Sequence, residues 1–79
     1  MPLNLYPSIL ASGSVPTDWQ PAPRAPLKYP VKNLAVLRTL RSLATGKWQK
    51  VVKMGQDGSE VHYFEHESGR VADVKWFPA

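Results

Sequence analysis

The stretch EVHYFEHESGRVADVKWF, residues 60–77, places apolar and polar side chains in alternation on either side of Ser68-Gly69. Alternation of period two is the mark of a half-buried strand, and Ser-Gly is an acceptable tight turn between two such strands. Upstream, WQKVVKM at 48–54 has the same character, and Asp57-Gly58 separates it from the first of them. Asp-Gly suits a two-residue hairpin loop because both of its central positions take positive φ. The sequence therefore predicts a three-stranded antiparallel β-meander.

Two-residue loops at both turns fix a register. The first hairpin then pairs Met54 with Val61, Val52 with Tyr63, Lys50 with Glu65 and Trp48 with Glu67. The second pairs Glu67 with Arg70, Glu65 with Ala72, Tyr63 with Val74 and Val61 with Trp76. Residues directly opposite one another share a face. One face thus collects Trp48, Val52, Met54, Val61, Tyr63, Ala72, Val74 and Trp76. The other carries Gln49, Val51, Lys53, His62, Phe64, His66, Val71, Asp73, Lys75 and Phe77. A slip of one residue would scatter the apolar set.

In VKNLAVLRTLRSLATG, residues 31–46, Val36, Leu37, Leu40, Leu43 and Ala44 gather on one side at the helical period. Arg38 and Arg41 fall opposite, with Leu34 stranded beside them. Asn33 suits the N-cap and Gly46 the stop. The expected fold class is α+β: one amphipathic helix packed on the apolar face of the meander.

Seven of the eight prolines fall in residues 1–30. Proline offers no amide proton to a helix or central strand, so this region is expected to be an extended, proline-rich arm (1–30) ahead of a small domain (31–79). Leu3, Leu5, Tyr6, Ile9, Leu10, Trp19 and Tyr29 make it too apolar for a purely solvated tail. It packs along the domain, joins a second copy in a homodimer, or docks elsewhere; Pro23 and Pro26 beside Arg24 form a PxxP frame. A 31–79 unit alone is near the lower limit of independent folding.

The totals bound the chemistry. The chain has 79 residues, no cysteine and a net charge of +4. Disulfides, thiolate metal sites and cysteine nucleophiles are excluded. No apolar run approaches the roughly 20 residues a membrane span needs, and the first residues lack a secretory signal pattern, so a cytoplasmic location is expected. The positive balance favours a polyanionic partner, nucleic acid or an acidic protein surface.

The polar sheet face is the expected site. Phe64 would offer a stacking surface, with Lys53, His62, His66 and Lys75 around it and Arg38 and Arg41 available for phosphate. Single-stranded nucleic acid suits it best; docking on an acidic protein surface is the alternative. A third reading is metal-independent ribonuclease chemistry, with His62, His66 and Asp73 as candidates. The order of helix and then antiparallel sheet resembles that of small microbial ribonucleases and ribonuclease-type toxins. His62 and His66 lie about 13 Å apart along one strand at about 3.3 Å per residue, too far to share one phosphate or one zinc ion. No cofactor is expected: a nucleotide fingerprint and a phosphate-cradling glycine loop are both missing. The aromatic meander with two spaced tryptophans also resembles a WW domain over about thirty residues, but its hairpins are too long between Trp48 and Trp76.

Overall fold

The computed structural model describes residues 4–79. Its elements follow the order β1 (Leu27–Pro30), α1 (Leu34–Leu43), β2 (Trp48–Met54), β3 (Glu60–His66) and β4 (Val71–Phe77). The strands form one antiparallel sheet in sequence order, β1-β2-β3-β4, with α1 packed on it. The α+β expectation holds, with four strands in place of three. The added strand is a piece of the arm: Leu27 pairs with Val52 and Pro30 with Gln49.

α1 begins where its cap dictates. Asn33 Oδ1 accepts hydrogen bonds from the backbone N–H groups of Ala35 (3.0 Å) and Val36 (3.2 Å), which satisfies two of the unpaired donors of the first turn. Arg41 in the last turn lies at the negative end of the helix dipole. At ten residues the helix is about 15 Å long. That length limits how much sheet it can cover.

The first hairpin corrects the expected register. Gly55 N–H donates to Ser59 C=O at 2.8 Å, leaving a loop of three residues, Gln56, Asp57 and Gly58. Gly58 takes the left-handed position at φ 86°, the glycine role in a three-residue hairpin loop. Every pair moves by one: Met54 faces Glu60, Val52 faces His62, Lys50 faces Phe64 and Trp48 faces His66. The second loop repeats the pattern, with His66 N–H bonded to Arg70 C=O at 2.8 Å and Gly69 at φ 93°. It shifts the start of β4, so that Phe64 faces Ala72 and Glu65 faces Val71. A β-bulge then sets Asp73 and Val74 against Tyr63, and beyond it Val61 faces Trp76, the pair the two-residue loops had predicted. Asp73 sits at φ 52°, the left-handed region that a non-glycine residue seldom occupies.

These shifts redistribute the faces. Val51, Val61, Tyr63 and Val71 lie on one side, buried with Val15 and Trp19 from the arm and flanked by Tyr6, Ile9, Val74 and Trp76. Trp48, Phe64 and Ala72 lie on the other, under Leu40, Val36, Leu37 and Leu43 of α1. The helix therefore covers part of the histidine face, and the arm covers the tyrosine–valine face. That reverses the expected layering.

The arm is not simply extended. Turns close at Ser12 and Gly13, and Trp19 N–H returns to Pro16 C=O at 3.0 Å. Tyr6 exchanges two backbone bonds with Val71, at 2.9 and 2.8 Å, while Pro21 bridges to Gly55. Trp19 Nε1 donates to Ser59 Oγ at 2.8 Å, and Ser59 Oγ donates to Asp57 Oδ1. A Cβ on Gly55 would come within 2.6 Å of Trp19 Nε1, so the bare glycine admits the indole to the hairpin end. Leu5 joins the helix-side cluster and Leu10 stays exposed; Leu3 lies outside the described residues. Among the described residues no helix is long and apolar enough to cross a membrane.

Candidate nucleic-acid interface

The helix-side sheet face is covered only at the Trp48 end. From the helix outward, the register lays out successive rows across the strands. Tyr29, Lys50, Phe64 and Ala72 make one row, and Leu27, Val52, His62 and Lys75 the next. Met54, Glu60 and Phe77 follow. Residues in such rows point to one side of the sheet. Three of the large apolar side chains left exposed fall in these rows: Leu27 (55%), Tyr29 (47%) and Phe77 (47%). Lys50 is exposed as well.

His62 sits in the middle of this surface. Its ring meets Phe77 edge-on, with centroids 4.7 Å apart. Nε2 lies 3.0 Å from Glu60 Oε1. A carboxylate only accepts, so Nε2 carries the proton in that contact. Beside it a small cleft of about 180 Å³ is lined by Lys50, His62, Phe64, Asp73, Lys75 and Phe77. Lys75 Nζ stands 3.9 Å from Asp73 Oδ2, across the edge that the bulge re-aims.

The residues expected to form one binding face are thus divided. His62, Lys75 and Asp73 meet at the cleft, with Phe64 at its inner wall. Phe64 also packs under α1, so only part of its ring is open. His66 is buried at 7% exposure. Its Nε2–H donates to Thr45 C=O at 2.7 Å, and Nδ1 accepts the Ser68 N–H at 3.2 Å. Its ring also meets Trp48 edge-on at 5.0 Å. Every polar group of His66 is engaged in joining the helix end to the second hairpin. Lys53 faces Val61 and so lies on the arm side, away from His62. Two-residue loops would set Val51 and Asp73 beside Phe64; Lys50 and Ala72 stand there instead.

Arg38 and Arg41 are exposed on α1. Arg41 borders a larger cleft of about 650 Å³ between the helix and β1, together with Lys28, Lys47, Glu65 and Glu67. Charges there are mixed. Lys28 Nζ pairs with Glu65 Oε1 at 3.0 Å, and Glu67 Oε2 accepts the backbone N–H of Lys47 at 2.9 Å. Across the sheet, burial pushes the Tyr63 hydroxyl up to about 12, with the Glu65 charge adding to the effect. Among the described residues no group of three or more histidine and carboxylate side chains could hold a metal ion.

Sequence reasoning missed Lys50 and Tyr29. Lys50 follows from parity once the loop has three residues. Tyr29 was concealed because its strand ends in a proline, which an edge strand tolerates. No protein-family model matches the chain, and neither the curated proteins nor the solved structures compared with it contain a match.

Proposed function

We propose that the protein is a small basic binding module that takes single-stranded nucleic acid on the open part of its sheet. One observation carries this reading. Tyr29, His62 and Phe77 share the uncovered face with Lys50 and Lys75, on a chain of net charge +4. Aromatic rings accept any base by stacking, each worth about 1–3 kcal/mol, and lysines neutralise phosphates at a cost in salt sensitivity. A broad, shallow sheet suits splayed bases better than a duplex groove.

Fluorescence anisotropy with labelled RNA and DNA single strands tests the reading. Two phosphate contacts predict a log–log salt slope near −1.4, so affinity should fall about sevenfold for a fourfold rise in salt. Replacing Lys50 and Lys75 together by alanine should flatten that slope. Phe77→Ala should weaken binding by about 1–3 kcal/mol at all salt concentrations. No binding of either strand at low salt overturns the reading. Leu27, 55% exposed beside Val52, would then favour docking on a protein surface, an acidic one given the net charge of +4.

A further inference from the structure

We infer that the His62 cleft cleaves RNA, by attack of a ribose 2′-hydroxyl on the adjoining phosphate; this rests on the binding reading above. Four features converge there. Glu60 Oε1 lies 3.0 Å from His62 Nε2 and so holds the proton on that nitrogen. Nδ1 has no hydrogen-bond partner among the described residues and is left as the basic atom. A carboxylate that fixes the tautomer of an imidazole, leaving its second nitrogen as a base, is a recurrent arrangement for proton abstraction. Lys50 and Lys75 border the same cleft of about 180 Å³.

The fourth feature is Asp73. It occupies the left-handed region at φ 52° in the β4 bulge, and its carboxylate lies 3.9 Å from Lys75 Nζ. Bulges and disfavoured backbone conformations concentrate where a side chain must be aimed. Here the bulge keeps a carboxylate beside the lysine at the cleft. The charged groups facing His62 are therefore Glu60 from β3, Lys50 from β2, and Asp73 and Lys75 from β4.

The step balances without a metal or co-reactant. His62 Nδ1 takes the proton from the 2′-hydroxyl, whose oxygen forms a bond to phosphorus. The bond from phosphorus to the 5′-oxygen breaks, and the leaving oxygen takes a proton from the Lys75 ammonium. Lys50 offsets the charge growing on the phosphoryl oxygens. The products are a 2′,3′-cyclic phosphate and a free 5′-hydroxyl. The imidazolium returns its proton through water to the Lys75 amine. His62 and Lys75 are the catalytic residues, and Glu60 and Asp73 position them.

The test pairs two strands of one sequence, unmodified RNA and its 2′-O-methyl form, which has no nucleophile. Binding of the 2′-O-methyl strand monitors the fold and the binding reading; gel analysis of the RNA monitors cleavage. The expected result is binding of both strands and cleavage of the RNA alone, leaving cyclic-phosphate ends. His62→Gln should slow cleavage of bound RNA, read at saturating protein, by about 10²-fold or more, a loss separate from any weaker binding of the 2′-O-methyl strand. Glu60→Leu should slow cleavage of bound RNA, and Glu60→Gln, whose amide oxygen still accepts the Nε2–H, should restore most of the rate, a rescue that loss of the contact alone does not predict. Binding of both strands with the RNA left intact overturns this inference and spares the binding reading. Failure to bind either strand overturns both. Cleavage unaffected by His62→Gln also refutes it.

Discussion

The two faces of the sheet are covered by different kinds of chain. On one, an irregular proline-rich segment supplies Val15 and Trp19 and reaches across Val51, Val61, Tyr63 and Val71. On the other, a ten-residue helix centred on Leu40 reaches Trp48, Phe64 and Ala72 and stops there. A straight rod covers only the area beneath it. A chain that turns repeatedly can follow the sheet and also bond to it at Val71 and Gly55. One face is thereby closed, and the other keeps an open half. The segment that looked peripheral in the sequence forms much of the core.

The sharpest way to break this contrast is to truncate the anchor on each side. Trp19→Ala should cost about 3–5 kcal/mol and Leu40→Ala about 2–5 kcal/mol, measured by urea unfolding with a common slope. Trp19→Ala also leaves Ser59 Oγ without the indole, whereas Leu40 is apolar and wholly buried. The arm-side variant should therefore be the less stable. An arm-side loss below about 1 kcal/mol would mean that residues 4–26 contribute little to folding.

A smaller effect isolates the polar contact within the arm side. Ser59→Ala leaves the Trp19 N–H without its acceptor, an expected loss of about 1–3 kcal/mol at neutral pH. It also frees Asp57. The Ser59 hydroxyl, followed by the Ser59 backbone N–H, holds that carboxyl below its usual value of 3.8. A lowered folded value contributes stability above the unfolded one, lost as pH falls through the folded one. The difference between wild type and variant should therefore narrow below about pH 4. A gap that stays constant down to pH 2 would remove Asp57 from the account.

The helix side offers the smallest of these tests. Asn33→Ala removes both capping bonds and should cost about 1 kcal/mol. Asn33→Asp should restore most of it, since aspartate caps equally well, and the chemical-denaturation midpoints of the two variants provide the check. Equal losses in both would mean that the side-chain oxygen is not what starts the helix.

The local signals in the sequence were sound where the chain decides locally. Asn33 caps the helix, Leu40 is its most buried residue, and the strands run where the alternation placed them. Parity was not decided locally. Val51 and Val52 are adjacent and equally apolar, so WQKVVKM alternates acceptably in either sense. Asp-Gly also fits a two-residue loop or the end of a three-residue one. What separates them is tertiary: Ser59 must face Asp57 and the Trp19 indole, forty residues away in sequence. The bulge at Asp73 left no mark either, because it follows from reconciling the shifted second loop with burial of Trp76. The candidate site was legible through His62, Lys75 and Asp73, which come together. Lys53 was misread because its face depended on the register, and His66 because the helix end covers its part of the face.

The open margins of the sheet have a consequence for the protein in bulk. β1 offers four residues and ends in a proline without an N–H, while the far margin is engaged at Val71 by Tyr6 and then bent by the Asp73 bulge. Neither side presents a long flat ladder on which another molecule could template itself. Edge-to-edge pairing with another copy therefore has only short, interrupted ladders to use at either margin.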